Sequence, residues 1–337
     1  MRIGIIAPPW APVPPALYGG IELIVDRLAT GFQAAGHDVL LFTTGDSTCP
    51  VPRQWVLPEA EGERIGVVVP EMRHLIHAYE AVRDCDIVHD HSVAGPLYAG
   101  RFPDLRVVTT IHGEFNDEMT DIYTEIARTV PIIAISHAQR RPVPQLPIAR
   151  VIHHGIDASD FPFGTGAGGY CLYLGRMAPG KGAHRAVAVA RKAGMALMMA
   201  AKMREPWERE YFETQVEPYL TDEIRYLGEV PHEQKLELLS GAAALLFPIR
   251  WNEPFGLVML EALACGTPVL AFPEGAAPEV VEDGKTGFLC HDEAAMVEAL
   301  GRLGTIDRRT CRAAVEGYFS TQRMVREHIE LFEDVAR

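Results

Sequence analysis

The sequence lacks the features that indicate a disulfide-bonded, membrane-spanning or nucleic-acid-binding protein. Its six cysteines form no C-x-x-C pair, so we interpret them as reduced thiols of a cytoplasmic protein. No apolar run reaches the ~18 residues that a membrane span needs, and "MRIGIIAPPW" is too short in apolar residues for a signal peptide and predicts a first strand. With a net charge of −14, neither nucleic-acid binding nor attraction to anionic lipid is expected, and an anionic ligand needs a local positive site.

The 337 residues alternate between strand-like apolar runs and helical patterns, which predicts two doubly wound α/β domains facing a cleft. Glycines and a proline loosen the pattern over 155–169, which predicts a linker. The expected division is an N-terminal acceptor-side domain over 1–160 and a C-terminal nucleotide-sugar-binding domain over 161–319. A terminal helix over 320–337 could pack back on the first domain. A homodimer is allowed but not indicated.

Two glutamates eight positions apart, Glu253 and Glu261, lie in "WNEPFGLVMLEALACGTPVLAF", where a helix is predicted to begin near Phe255-Gly256. The free backbone N–H groups at such a start are suited to binding phosphate. Glu261 lies among apolar residues, where a carboxylate costs stability unless it meets hydrogen-bond donors. The alternative is that Glu253 is a surface cap and Glu261 a solvated helix residue.

The segment "YCLYLGRMAPGKGAHRAV" imitates a phosphate-binding Walker A loop, with Gly175, Gly180 and Lys181 after a strand. The next residue is Gly182, so the hydroxyl that would hold Mg²⁺ is missing and an ATPase or kinase is disfavoured. We interpret Arg176 and Lys181 instead as a cationic pair for a diphosphate. Two solvated surface cations remain the alternative.

A proline-rich loop, "APPWAPVPPALYGG", leaves the first strand and ends in Gly19-Gly20 at a predicted helix start. It is not G-x-G-x-x-G, which disfavours a nicotinamide site. Paired glycines allow close approach of a ligand to the backbone, although a structural turn is the alternative.

Histidines follow two strands of the first domain: His89, Asp90 and His91 in "DIVHDHS", and His112 in "TTIHGEF". The H-x-H spacing suggests a metal site. However, alternate strand positions and the missing third ligand disfavour it, and no metal is predicted.

Taken together, "EPFGLVMLEALACGTPVLA" and "GAAPEVVEDGKTGFL" resemble the signature of retaining nucleotide-sugar glycosyltransferases of family 4, with the GT-B fold. In that family the first glutamate meets a sugar hydroxyl and the second the nucleotide ribose, which the resemblance carries onto Glu253 and Glu261. It also implies that the backbone of Phe255, Gly256 and Leu257 holds sugar and phosphate oxygens.

The resemblance extends to other segments and implies a role for each. It makes Arg176 and Lys181 the family's R-x4-K pair and places Gly19-Gly20 against the donor phosphates. His112 lies beside the donor sugar, and Ser136 matches the family's serine after "PIIAI". The remaining implied positions are the base-contacting loop Gly228 to Val230, the weaker acceptor-side candidates Asp90 and His91, and His154, which departs from the usual Asn.

The implied activity is transfer of a sugar from a nucleoside diphosphate sugar, of UDP or GDP type, to an acceptor hydroxyl with retention and without a metal or cofactor. The mixed charges of "PEMRHLIHAYEAVRD" argue against docking on a membrane, which favours a small soluble acceptor. The chain also resembles antibiotic-pathway members from actinobacteria, of the avilamycin type. A lipid-linked or saccharide acceptor, an epimerase or phosphorylase on the same fold, and a non-catalytic sugar-nucleotide-binding protein stay open as alternatives.

Overall fold

A computed structural model describes residues 1–17 and 19–337. Contacts between Cα atoms divide the chain into two units, Met1–His154 with Thr321–Arg337, and Gly155–Ser320. The sequence-based boundary at residue 160 lies inside the second unit, because Ile156 N–H donates to Phe319 O over 2.9 Å and Ile156 bridges to Ser320. Arg312 secures the same segment by donating to the carbonyl oxygens of Ala158 and Phe161.

The first unit is built on a parallel seven-stranded sheet with the order β3-β2-β1-β4-β5-β6-β7. Its central strands are buried on both faces, as apolar runs such as "RIGII" and "DVLLF" require. The strands are β1 Arg2–Ile6, β2 Asp38–Phe42, β3 Arg53–Gln54, β4 Ile87–Asp90, β5 Val107–Thr110, β6 Ile132–Ala134 and β7 Ile148–Val151.

Helices connect these strands, as is usual in a parallel sheet, except that a loop over 43–52 joins β2 to β3. They are α1 Gly20–Ala34, α2 Val68–Ala81, α3 Gly95–Tyr98, α4 Asp117–Ile126 and α5 His137–Arg140, with short 3₁₀ turns at Gly62–Arg64 and Ala99–Arg101.

The second unit has a parallel six-stranded sheet with the order β10-β9-β8-β11-β12-β13. The strands are β8 Tyr170–Arg176, β9 Ala196–Lys202, β10 Ile224–Gly228, β11 Ala244–Phe247, β12 Val269–Ala271 and β13 Gly287–Leu289. The helices are α6 Ala183–Ala193, α7 Pro206–Gln215, α8 His232–Gly241, α9 Leu257–Ala264, α10 Ala277–Val280, α11 Glu293–Leu300 and α12 Arg308–Gly317. Short 3₁₀ turns lie at Ala158–Asp160, Pro179–Lys181, Glu217–Tyr219 and Leu303–Thr305.

The prediction of two doubly wound α/β domains is therefore confirmed for each unit. The sequence pattern predicts helices over 21–35, 70–83, 182–193, 206–217, 231–240 and 256–265, and the six corresponding helices, α1, α2 and α6 to α9, begin and end within two residues of these limits. In each sheet the strand order reverses beside the first strand of the unit, and ligands of such sheets bind beyond the carboxyl ends of the strands at that reversal.

The helix α13, Thr321–Ala336, belongs to the first unit and packs on α1. The ring of Phe332 is fully buried, with its centroid 5.4 Å from that of Phe32. At Gly31 a Cβ atom would come within 2.4 Å of Val325 Cγ2, so the two helices approach too closely there for a larger residue. Arg323 adds hydrogen bonds to the carbonyl oxygens of His153 and His154.

Two further sequence features are visible in the fold. All six cysteines are unpaired and buried, and burial raises the pKa of the Cys171 thiol to about 12, which keeps it protonated. None of the helices in the described ranges is both long enough and apolar enough to cross a bilayer.

Candidate functional site

The strand order of the second unit reverses between β8 and β11, which pair with each other. Arg176 is the last residue of β8, and Lys181 ends the 3₁₀ turn that follows it. Glu253 lies in the loop that leaves β11 and precedes α9. Two loops that the sequence singled out separately therefore meet at the reversal of strand order.

Lys181 and Glu253 form an ion pair there, with Lys181 Nζ donating to Glu253 Oε2. Trp251 Nε1 donates to the same oxygen over 2.8 Å, and its ring lies 4.5 Å from Lys181 Nζ. Glu253 is only 8% exposed, so its carboxylate is held by two donors instead of being a solvated surface cap.

The backbone around Glu253 is fixed from the other side by the loop after β12. Ala276 N–H donates to Glu253 O over 2.9 Å. After Glu253 the chain passes through buried Phe255 to Gly256, the N-cap of α9, which starts at Leu257. No side chain caps this helix start. The N-terminal turn of α9 thus presents backbone N–H groups suited to an anion.

Glu261 lies inside α9 and is 3% exposed. Lys235, from α8, donates to Glu261 Oε1 over 2.6 Å. The sequence did not identify Lys235, because it lies 26 positions before its partner in a different helix.

Arg176 pairs with a third buried carboxylate, Glu208 in α7, which the sequence did not identify. Burial alone would raise the pKa of Glu208, but N–H groups of Arg204 and Glu205 and the Arg176 guanidinium lower it below its ordinary value. The Arg176 guanidinium also lies 5.0 Å from the centroid of the Trp207 ring. The guanidinium is therefore held in place by a carboxylate and an aromatic face.

Further cationic groups surround the strand exits near Arg176. Lys202 ends β9 in register with Arg176, and burial together with Arg204 and Arg176 lowers its pKa. The predicted base-contacting loop starts at Gly228, the end of β10, and Val230 precedes the N-cap of α8. Between them, Glu229 accepts a hydrogen bond from Arg204 over 3.3 Å.

In the first unit, His112 follows β5 and hydrogen-bonds His91, which follows β4. His91 Nδ1 and His112 Nε2 are 2.8 Å apart. The His91 and His89 ring centroids are 4.0 Å apart, and the His154 ring stacks on His112 at 5.4 Å. Burial lowers the pKa of each of these four rings, so they are neutral at physiological pH.

Asp90, proposed for the acceptor side, is fully buried at the end of β4. Its carboxylate accepts hydrogen bonds from Tyr79 Oη, Ser92 N–H and Ser92 Oγ at 2.7 to 2.8 Å. Burial raises the pKa of Asp90 to about 6. These contacts shape the loop after β4.

The remaining predicted positions of the first unit lie at helix starts. Ser136 is buried and caps α5, with its Oγ accepting from Gln139 N–H over 2.9 Å. Gly19 is the N-cap of α1 and Gly20 its first residue. Ser136 lies just after β6, whereas Gly19 and Gly20 lie at the end of the long loop that follows β1.

The structure explains why the Walker-like loop has no hydroxyl residue after Lys181. Gly182 has a φ of +80°, and a Cβ atom there would lie 2.2 Å from Pro248 O, so no side chain fits. Within residues 1–17 and 19–337, no group of three or more His, Cys, Asp or Glu side chains is arranged to hold a metal ion.

Comparison with known families matches most of the chain. Residues 18–160 match the family described as Glycosyltransferase Family 4, and residues 166–310 match the family described as Glycosyl transferases group 1. Among curated proteins, the chain is 28% identical to glycogen synthase of Mycobacterium tuberculosis, over 85% of this chain and 83% of that protein. It is 26% identical to phosphatidyl-myo-inositol mannosyltransferase of Mycolicibacterium smegmatis, over 93% and 86%.

Solved structures show the same architecture. AviGT4, a glycosyltransferase involved in avilamycin A biosynthesis, is 25% identical with a TM-score of 0.76, covering 99% of this chain and 98% of that one. HepE from Anabaena, solved in complex with UDP and glucose, is 17% identical with a TM-score of 0.79, covering 99% and 100%.

Proposed function

Because the chain belongs to the glycosyltransferases that combine a family 4 domain with a group 1 domain in the GT-B fold, we propose that it transfers a sugar from a nucleoside diphosphate sugar to an acceptor hydroxyl. The observation that carries this proposal is the Lys181–Glu253 pair at the reversal of strand order, beside the uncapped start of α9. It combines a cation for a diphosphate with a carboxylate for a sugar hydroxyl at the edge where such sheets bind ligands.

In this proposal Lys181, Arg176 and the N–H groups at the start of α9 bind the donor diphosphate. The leaving diphosphate gathers negative charge as its bond to the anomeric carbon breaks. Positive groups that are already oriented stabilise that charge most in a site that excludes water. Glu208 and Trp207 orient Arg176, while Glu253 and Trp251 orient Lys181. These cations supply the charge that a divalent metal provides in many nucleotide-sugar enzymes, and we therefore propose a metal-independent reaction.

We further propose retention of the anomeric configuration. A retaining glycosidase uses a carboxylate as nucleophile, but the Glu253 carboxylate is bound by Lys181 and Trp251 and is assigned to a sugar hydroxyl. The acceptor oxygen then attacks from the face that the diphosphate leaves. The bond from the anomeric carbon to phosphate breaks, the bond to the acceptor oxygen forms, and the acceptor proton passes to the leaving phosphate. His112 is proposed to orient the sugar, and Glu261 to bind the ribose diol.

The donor is proposed to be of UDP type and the acceptor a small natural-product intermediate. The likeness to HepE, which was solved with UDP and glucose, supports the choice of donor. The likeness to AviGT4, which is involved in avilamycin A biosynthesis, supports the choice of acceptor. A polysaccharide or lipid-linked acceptor is the competing possibility, since similar proteins include a glycogen synthase and a phosphatidyl-myo-inositol mannosyltransferase.

The test is donor turnover by Lys181→Ala. We measure release of nucleoside diphosphate from a panel of UDP- and GDP-sugars with candidate acceptors, and the anomeric configuration of the product by NMR. Loss of the ammonium should lower turnover by roughly 100- to 1000-fold, as for other groups that stabilise developing charge. Lys192→Ala is the matched control, because Lys192 is exposed at the end of α6.

Three results would contradict the proposal. A folded Lys181→Ala with wild-type turnover would remove the diphosphate role. An epimerised donor without nucleoside diphosphate release would indicate an epimerase, and an inverted product would overturn retention.

A further inference from the structure

The histidines of the first unit hold one another in a fixed arrangement. His89 Nε2 lies 2.7 Å from Thr110 Oγ1, and the His89 ring packs against His91. His91 Nδ1 lies 2.8 Å from His112 Nε2, and His154 stacks on His112. The only ring nitrogen of His112 that His91 leaves available is Nδ1.

A hydrogen bond between two neutral imidazoles contains one proton, so one ring donates and the other accepts. If His112 Nε2 donates, His91 must carry its own proton on Nε2. If His91 Nδ1 donates, His91 Nε2 is a bare acceptor, and His112 must carry its proton on Nδ1. The hydrogen bond therefore links the tautomers of the two rings.

The surroundings of His91 Nε2 decide between the two arrangements. This nitrogen is buried and has no hydrogen-bond partner among residues 1–17 and 19–337. A buried N–H group without an acceptor is rare in native proteins, and a buried acceptor without a donor is less so. The second arrangement, with His91 Nδ1–H as the donor, is therefore favoured.

We infer that His91 is a positioning residue that holds His112 as the tautomer with its proton on Nδ1, so that His112 presents an N–H donor to the substrate. The inference rests on the proposed function for the identity of that substrate, a sugar hydroxyl oxygen. The tautomer of His112 is inferred independently of the proposed function. His91 acts only through His112 and is no longer assigned to the acceptor.

Substitution of His91 by Asn or by Gln distinguishes this role from a role in packing alone. The side-chain amide of Asn reaches the position of a histidine Nδ1, while that of Gln reaches the position of Nε2. His91→Asn can therefore still donate to His112 and should keep kcat/KM within about 3-fold of wild type, a fraction of one hydrogen bond. His91→Gln cannot donate to His112, and its kcat/KM should fall about 10-fold, which corresponds to the loss of one hydrogen bond. A packing role predicts the reverse order, because Gln is closer to His in size.

His74, another buried histidine of the first unit, is a control with the opposite geometry, because it hydrogen-bonds through Nε2 and not through Nδ1. His74 Nε2 lies 2.9 Å from Ala7 O, which can only accept. His74→Gln should therefore keep the thermal stability and kcat/KM near wild type, whereas His74→Asn should lower the stability. If His74 does not follow this pattern, the amide comparison loses its basis and the tautomer measurement decides.

The tautomer of His112 is measured directly by long-range ¹H–¹⁵N correlation on protein labelled with ¹⁵N-histidine. The His112 signals are identified by their loss in His112→Gln. We expect an Nδ1–H pattern in wild type and in His91→Asn, and a change in His91→Gln. An Nε2–H pattern in wild type, or the same tautomer in all three proteins, would overturn the inference even if the variants proved inactive. A protein that shows the expected tautomers but transfers no sugar would contradict the proposed function alone.

Discussion

At the scale of single residues, the buried carboxylates of the second unit each meet a cation. Glu253 pairs with Lys181, Glu261 with Lys235 and Glu208 with Arg176. A carboxylate buried without a partner would lose its hydration without compensation. These pairs therefore keep three negative charges stable inside the second unit.

The Lys235–Glu261 pair predicts an asymmetric response to substitution. Lys235→Met should lower the free energy of unfolding of the second unit by about 2 kcal/mol, because it leaves the Glu261 carboxylate buried and unpaired. Adding Glu261→Gln should restore most of that loss, since the amide carries no charge. Urea unfolding of the two single variants and the double variant measures this. A double variant that is less stable than Lys235→Met would contradict it.

The sequence identified both members of the Lys181–Glu253 pair but only one member of each of the other two pairs. Glu253, Glu261, Arg176 and Lys181 lie in segments with recognisable spacing, whereas the partners Lys235 and Glu208 lie in helices 26 and 32 positions away. Nothing in their local sequence distinguishes them from solvated helix residues. The hydrogen bond from His91 to His112 was equally hidden, because it depends on the register of β4 and β5.

At the scale of elements, the position of Glu253 depends on two loops. One is its own, after β11, and the other is the turn after β12, which contains Gly275. A Cβ atom on Gly275 would lie 2.3 Å from Glu253 O and 2.4 Å from Glu253 N. The second loop thus supports the first through direct backbone contact.

Gly275→Ala should therefore displace Glu253. Gly275 has a φ of +54°, and Gly284→Ala is a matched control because Gly284 has a φ of +74° but open space around its Cα. Both substitutions carry the same backbone strain of roughly 1 kcal/mol, but only Gly275→Ala adds the clash. We expect it to lower donor turnover at least 10-fold more than Gly284→Ala, and thermal unfolding monitors stability. Equal effects of the two substitutions would show that strain alone matters.

Element order and type followed from the alternation of apolar runs with helical patterns, because only buried parallel strands and amphipathic helices produce it. The boundary between the units could not be predicted from this alternation. The glycine-rich stretch 155–169 predicts a loose linker, yet Ile156 and the turn Ala158–Asp160 are tied to residues near 312 and 320. Such long-range pairing leaves no local signal.

At the scale of the whole molecule, the two units differ in their content of buried histidine. The first unit contains seven histidines whose pKa values burial lowers: the buried His74, His89, His91, His154 and His328, and the partly buried His37 and His112. In the second unit, burial lowers the pKa of His184, which is half-buried. Neutral imidazoles therefore contribute more to the packing of the first unit than to that of the second.

Acidification should consequently destabilise the first unit before the second. A histidine whose folded pKa lies below its unfolded value stabilises the fold above pH ~6.5, and that stability is lost as the pH falls towards the folded value. For His74, whose pKa is about 4, the loss is about 2 kcal/mol at pH 5. Asp90, whose pKa burial raises to about 6, opposes this by about 1 kcal/mol at pH 5, since protonation of its carboxyl favours the folded state.

Calorimetry from pH 8 to pH 5 measures the effect. The transition of the first unit, assigned by its shift in Phe332→Ala, should fall in Tm more steeply than that of the second. His74→Gln should reduce the slope for the first unit. Parallel shifts of both transitions would contradict the prediction.

The return of α13 to the first unit also has a consequence for how the protein is made. As the ribosome adds residues in order, Gly155–Ser320 is available as a full set of strands and helices before residues 321–337 exist. Until then, the surface of α1 around Phe32 that Phe332 covers stays open to water. Domains usually fold during translation from the N-terminal one onward, but here the unit that is begun first is completed last.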